Sequence, residues 1–420
     1  MALLTAVIAL SVGLTGCSPR RTATVAPEPV WFGTEPDIRV LVATTDGPIR
    51  LATTDKTPLT TRDADNGSRT GQAPSGASFA ATRAGSAFGV STPGLTAARV
   101  EVESQAGLIY DSKRLGPRAE IAVESADGEP TLRLIAIVPL EQYVAGVAAA
   151  ELYASWEREA YEAQCVAART YALHERARAR ASGRSYDVLS STLDQVFEGL
   201  TRNETAQIAA RATRGSVLLD EDKQILRAYY SSTCGGRPSS AAGIWPSTGS
   251  FAFNAALPLQ GLPRACPCEA SSRYRWERER SVADVTARLK AWGREKAVPI
   301  RRMADLVSIE PVEFNDARRP NAYRVTDSDR KTYLISAEEL RTALNTPARG
   351  RPSITGKTRV PSGDLSAVVE GSTVTLVGRG FGHGVGLCQF GAQSFAKQGE
   401  EAADMLELFY PGAERAIVYD

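Results

Sequence analysis

Apolar and polar positions alternate with a period near two in the first third of the chain and near 3.6 further on. Ile38-Arg39-Val40-Leu41-Val42, Ala98-Arg99-Val100-Glu101-Val102, Ala119-Glu120-Ile121-Ala122-Val123 and Thr131-Leu132-Arg133-Leu134-Ile135-Ala136-Ile137 read as strands. They predict a β-rich lobe over 36–137. From about 53 to 93 the chain is rich in Thr, Ser, Gly, Ala and Asp without periodicity, so we expect a flexible insertion there rather than a fold. At Val138 the period changes. Helices are expected over Pro139–Leu152 and Trp156–Arg180, the second with Ser155 as N-cap, acidic Glu157 and Glu159 in its first turn and Arg176, Arg178 and Arg180 in its last. Its Ala160, Ala163, Ala167 face allows close helix contact. Ala206–Thr213 reads as a further helix. Ser216–Leu219 and Ile225–Tyr230 read as a hairpin around Glu221-Asp222-Lys223. A mixed insertion is expected over about 270–345, with a helix at Val282–Trp292, strands near Leu306 and Tyr323, and a helix from Ala337. The chain closes with a strand at Ser372–Val377, a glycine-rich loop and a helix at Ala392–Lys397. The fold class is α+β, a β-rich lobe followed by a helical core with inserted segments. No internal repeat is visible.

One position breaks the pattern. Leu140, Tyr143, Val144 and Val147 form an apolar stripe at about 100° per residue, and Glu151 falls four residues after Val147, inside that stripe. An ionised carboxylate there loses hydration unless it is paired, so its pKa is expected to rise, as a general acid near neutral pH requires. The other reading is that the helix frays before Glu151 and the side chain reaches water. Pattern alone leaves both open. Glu141, in the first turn, is expected to be solvated and favoured by the helix dipole.

Composition narrows the function classes. The chain has 420 residues, 43% of them hydrophobic, with 49 basic against 48 acidic side chains and a net charge of +1. Its length suits two or three domains. The charge balance argues against a general nucleic-acid binder while leaving a neutral polymer such as a polysaccharide open. Met1 to Gly16 is apolar and small, followed by Leu14-Thr15-Gly16-Cys17-Ser18, which resembles a bacterial lipobox with Cys17 as the lipidated residue. We therefore expect a lipoprotein signal peptide over 1–16, a tether over 17–35, and a lipid-anchored protein of the cell envelope. Of the six cysteines, Cys165 reads as a small buried thiol. Cys234, Cys266, Cys268 and Cys388 remain. Export favours disulfides among them, with a structural zinc at Cys234, Cys266 and Cys268 as the lesser alternative.

There are two histidines. His174 reads as structural or surface. His383 lies among glycines at 380, 382, 384 and 386, a run that permits close backbone approach to a ligand or a tight turn fixed by the imidazole. The run has neither the G-x-G-x-x-G nor the P-loop spacing. Ser231, Ser232 and Thr233 lack a nucleophile elbow, so sugar-bonding or turn-capping hydroxyls are expected.

Four blocks stand in order: Pro139 to Val147 with Glu151; Glu159 to Tyr171; Tyr229-Tyr230-Ser231-Ser232-Thr233-Cys234-Gly235-Gly236; and Gly378 to Ala392 around Gly382-His383-Gly384-Val385-Gly386. With Asp194-Gln195-Val196-Phe197-Glu198-Gly199 they closely resemble the stage II sporulation protein D and amidase-enhancer family, over roughly residues 36–420 apart from the insertion. The resemblance implies a catalytic domain of that type over 138–420. It also implies a lytic transglycosylase cutting glycan strands stripped of stem peptides and leaving a 1,6-anhydro-muramic end, with Glu151 as the catalytic residue. A branch described as enhancing a cell-wall amidase implies a binding role without turnover as the alternative. Gln164, Arg169, Tyr171, Gln195, Ser232, His383 and Gln389 are the candidates for shaping the glycan groove, and no catalytic metal or cofactor is implied. Where the family usually has Glu-Met-Pro, this chain has Glu151-Leu152-Tyr153.

Overall fold

The computed structural model describes residues 31–67, 70–84, 87–126, 129–191, 194–261 and 266–420. The expected signal peptide, Cys17 and the tether as far as residue 30 lie outside the described residues.

The first part of the chain is β throughout. Strands β1 (Asp37–Thr45), β2 (Ile49–Thr53), β3 (Leu59–Asp63), β4 (Thr70–Ala73), β5 (Ala77–Ala84), β6 (Ala87–Thr92), β7 (Leu95–Ala97), β8 (Arg99–Tyr110), β9 (Lys113–Ala126) and β10 (Glu129–Pro139) precede the first helix. They form one curled sheet with its main path in the order β1-β10-β9-β8-β2-β5-β6-β7, while β3 pairs with β4 and β8. The segment expected as a flexible insertion is therefore folded. Its inward positions alternate, as in Leu59, Thr61 and Asp63 of β3, but Thr, Ala and Asp occupy many of them, so no apolar period shows.

Helix α1 (Leu140–Glu151) follows β10 directly, and α2 is Arg158–Ala181. The N-cap of α2 is Glu157 rather than Ser155, and the Glu157 N–H donates to the Gln393 side chain at 2.9 Å. Two cores meet on α2. Tyr161, Cys165, Ala168 and Ala172 face the sheet, whereas Ala160, Ala163, Val166 and Ala167 face a second apolar cluster. Burial on both sides explains the small residues: bulkier ones would push the layers apart. β11 (Val188–Leu189) adds parallel to β1, and α3 is Glu204–Ala212.

β12 (Ser216–Leu219) pairs over its length with a C-terminal strand, Glu414–Ile417, and meets the expected hairpin partner at the Leu219–Ile225 bridge and through the Leu226 N–H, which donates to Leu218 O at 2.9 Å. β13 is Tyr230–Ser231. A third core lies within β14 (Arg275–Ser281), α4 (Val282–Glu295), β15 (Leu306–Phe314), β16 (Pro320–Asp327), β17 (Thr332–Ser336), α5 (Ala337–Asn345), β18 (Leu365–Glu370) and β19 (Thr373–Arg379). The segment read as an insertion over about 270–345 thus shares its core with Val360 to Leu376, because β14 pairs with β19. β20 (Leu387–Cys388) runs parallel to β13, and the chain ends with α6 (Gln389–Ala396), α7 (Ala402–Phe409) and β21 (Glu414–Ile417). Among the described residues no helix is long and apolar enough to cross a membrane.

Candidate functional site

Glu151 is the last residue of α1, and the Leu152 N–H closes the helix on Ala148 O at 3.0 Å. Its side chain is partly buried, with one oxygen accepting from the Val196 N–H and the other from Gln389 Nε2, both at 3.2 Å. Among the described residues no Lys, Arg or His pairs with it. Burial raises its pKa above the usual 4.5, and the hydrogen bonds from Gln389 and Val196 only partly offset that. Its place at a helix C-terminus, the negative end of the dipole, disfavours the anion further. Both readings of the sequence hold a part: the carboxyl is at a helix end, and it is desolvated.

Three segments converge to make this environment. Gly146 lets the 194–199 block lie against α1; a Cβ there would be 2.7 Å from both Gly199 O and the Phe197 ring. That close approach brings the Val196 N–H to Glu151. Gln389 comes from the start of α6, immediately after the β13–β20 pairing. Beneath the site, the Tyr143 hydroxyl donates to Gln195 Oε1 at 2.9 Å, and Gln195 Nε2 donates to Ala168 O at 3.2 Å. Burial pushes Tyr143 and Tyr230 well above the usual phenol pKa, and the charge of Glu151 contributes at both.

The remaining candidates are spread over different roles. Arg169 does not line a groove. It is fully buried and clamps Glu141 through two bonds, Nε to Oε1 at 2.9 Å and Nη2 to Oε2 at 2.6 Å. Glu141, expected to be solvated, is therefore an ion-pair partner in the core; it also accepts from the Gly215 N–H at 3.2 Å and from the Tyr419 hydroxyl. Burial alone would raise its pKa, but Arg169 holds it below the usual value. Tyr171 is buried, donating to Asp194 Oδ1 at 3.1 Å and accepting from Arg227 Nη2 at 3.0 Å. Gln164 is fully buried in α2, and neither amide atom has a hydrogen-bond partner.

Ser232 is partly buried, and its carbonyl accepts from the Phe390 N–H at 3.1 Å. His383 packs edge-on to Trp245 and Tyr229, with ring centroids 5.0 and 5.7 Å away. Its Nδ1 accepts from the Val385 N–H at 3.1 Å, and burial pushes its pKa down to about 3, so it is a neutral acceptor that fixes the loop. No hydrogen bond joins it to Glu151. The glycines serve the same loop: a Cβ on Gly386, at φ 66°, would lie 2.1 Å from Tyr229 O. His174 is structural, with Nδ1 2.8 Å from Ile225 O.

Two features were missed in the sequence. The Val196 N–H is a backbone donor, which has no residue signature. Tyr153, Trp156 and Phe390 form an aromatic cluster beside Glu151 and Gln389 in the chain, with ring centroids 5.0 to 6.1 Å apart. Tyr153 is 63% exposed. The cysteines also depart from expectation. None of the five described is in a disulfide; instead Cys234, Cys266, Cys268 and Cys388, all buried, bring their Sγ atoms within 4.8 Å of one another.

Residues 128–219, from β10 through β12, match the family described as Stage II sporulation protein, and residues 255–386 match a Domain of unknown function (DUF8618). The chain carries a domain of the stage II sporulation protein D and amidase-enhancer family. It is 28% identical to Stage II sporulation protein D of Bacillus amyloliquefaciens over 291 residues, covering 66% of this chain and 74% of that protein. It is 25% identical to the Amidase enhancer of Bacillus subtilis (strain 168) over 287 residues, which is 64% of this chain but only 39% of the relative. An uncharacterized protein of Brachyspira hyodysenteriae is 27% identical over 285 residues, 68% of each chain.

Proposed function

We propose that this chain is an exported, lipid-anchored lytic transglycosylase of the cell envelope. Its substrate is the glycan strand of peptidoglycan lacking stem peptides, and its product carries a 1,6-anhydro-muramic end. The observation that carries the reading is the state of Glu151: desolvated and, among the described residues, paired with no cation and bonded by neutral donors from Val196 and Gln389. Such a carboxyl keeps its proton at higher pH and can give it up to a substrate oxygen. The step balances with one residue. Glu151 protonates the glycosidic oxygen as its bond to C1 breaks; the C6 hydroxyl of the same sugar attacks C1, and its proton returns to Glu151.

A hydrolase with two carboxylates would need a second free one about 5–9.5 Å away. Glu141 is consumed by Arg169, and Asp194 is held by the Leu189 N–H at 2.8 Å and the Tyr171 hydroxyl. The aromatic cluster of Tyr153, Trp156 and Phe390 offers an apolar face of the kind that sugar rings pack against.

The test is incubation of the purified chain with amidase-treated glycan, read by mass spectrometry. Anhydro-ended fragments that disappear in Glu151→Gln are the expected result. Reducing ends in their place would make the chain a hydrolase. A second reading, a wall-binding enhancer of an amidase without turnover, draws on the name of the Bacillus subtilis relative and on Leu152-Tyr153 after the glutamate. It predicts no fragments at any concentration and faster release of stem peptides when an amidase is added.

A further inference from the structure

The four clustered cysteines come from three separate places in the fold. Cys234 follows β13 across the Thr233–Phe381 bridge, Cys388 ends β20, and Cys266 and Cys268 sit on a Cys-Pro-Cys loop. Parallel pairing of β13 with β20, in the register Ser231 to Cys388, brings the first two together. The Cys268 N–H bonds back to Cys266 O at 3.0 Å, a tight turn that aims both thiols of the loop the same way. All four are at most 2% exposed.

The spacing selects among the chemistries that four thiols can serve. A zinc–thiolate bond of about 2.3 Å places the sulfurs of a tetrahedral site about 3.8 Å apart. Cys234 Sγ and Cys268 Sγ are 3.7 Å apart, and every pair in the group lies within 4.8 Å. A disulfide would require about 2.05 Å and would join thiols in pairs rather than gather four around one point. The surroundings are built for a sulfur cluster. The Cys234 N–H donates to Cys388 Sγ at 3.3 Å, the contact a thiolate ligand attracts. Gly391 leaves room under α6, since a Cβ there would be 2.4 Å from Cys266 Sγ.

We propose that Cys234, Cys266, Cys268 and Cys388 form a structural tetrathiolate zinc site. Four protein ligands close the coordination sphere, so the ion takes no part in the reaction. It ties the Cys-Pro-Cys loop and the residues after β13 to the start of α6. Gln389, the donor to Glu151, follows the ligand Cys388 directly. The site is thereby a strut for the candidate active site, but it stands on the cysteine geometry and not on the proposed reaction. Zinc is preferred to iron because a buried strut needs no redox chemistry, and both metals accept tetrahedral sulfur.

The experiment is elemental analysis of the purified full chain by mass spectrometry, with alkylation mapping of its thiols. About one zinc per chain is expected, with cobalt substitution giving the visible bands of a tetrahedral tetrathiolate. Cys268→Ser should fall to roughly a tenth of that zinc content or less, while Cys165→Ser, outside the cluster, keeps it. If Cys268→Ser does not fold, the metal content of the unaltered chain still decides. A metal-free chain with these cysteines paired as disulfides overturns the proposal, and one iron per chain overturns the choice of metal.

Discussion

Replacing Arg169 with methionine separates a structural role from a groove role. The guanidinium makes two bonds to Glu141, and further bonds to Ser216 O at 3.1 Å and Ala210 O at 3.2 Å. Methionine fills much of the volume but donates nothing, so Glu141 keeps only the Gly215 N–H and the Tyr419 hydroxyl. Removing one partner of a buried ion pair destabilises by about 3–5 kcal/mol, because the other charge is left without compensation. In a chain of 420 residues that lowers the melting temperature by roughly 3–6 °C. The double variant Glu141→Leu with Arg169→Met removes both charges and should recover about 2–3 kcal/mol of that loss. Calorimetry of the three variants beside the wild type reads this directly. In the native chain the pair's contribution is present above the ordinary carboxylate pKa of 4.5 and is lost as pH falls through the lower folded value. A melting temperature for Arg169→Met within about 2 °C of wild type, together with a raised KM for glycan, would refute the reasoning and return Arg169 to the groove.

Glu151→Gln should melt higher than wild type at pH 8, by roughly 1 °C for a gain on the order of 1 kcal/mol. The folded pKa of Glu151 is raised, so the favourable state is complete below 4.5 and is lost as pH rises through the folded value; the gap should close toward pH 4.5, and a lower melting point at pH 8 would contradict it. Tyr153→Ala should raise KM for denuded glycan about fivefold with kcat unchanged, the equivalent of about 1 kcal/mol of aromatic contact. A fall in kcat at constant KM would place Tyr153 in the chemistry instead.

How far the fold was legible depended on which residues face inward. β1, β8, β9 and β10 carry Ile, Val and Leu at alternate positions, and they appear in the structure where the period predicts them. β3 places Thr61 and Asp63 inward, and β4 offers only Ala73, so the same architecture is written there in residues that resemble a linker. β12 touches its nearest neighbour in sequence at Leu218 and Leu219, as the hairpin pattern predicts, but its full-length partner is β21, near the end of the chain. Local pattern carries no term for a strand arriving from so far away.

The same limit separates the two glutamates of α1. Both lie on one helix, and an ideal geometry of about 100° per residue sets them some 80° apart. Nothing in that spacing says which is paired. The difference comes from α2, which delivers Arg169 to Glu141 and no cation to Glu151. Its small residues let it pack against α1, and its one fully buried guanidinium then neutralises the carboxylate it reaches. Glu151, at the other end of α1, meets among the described residues a backbone N–H and a side-chain amide, which bond the carboxyl without supplying positive charge. Neutral donors orient an acid while leaving most of its desolvation in place; a guanidinium at the same distance would lower its pKa and remove its use as a proton donor. The chemistry proposed for Glu151 therefore rests as much on the placement of Arg169 as on Glu151 itself.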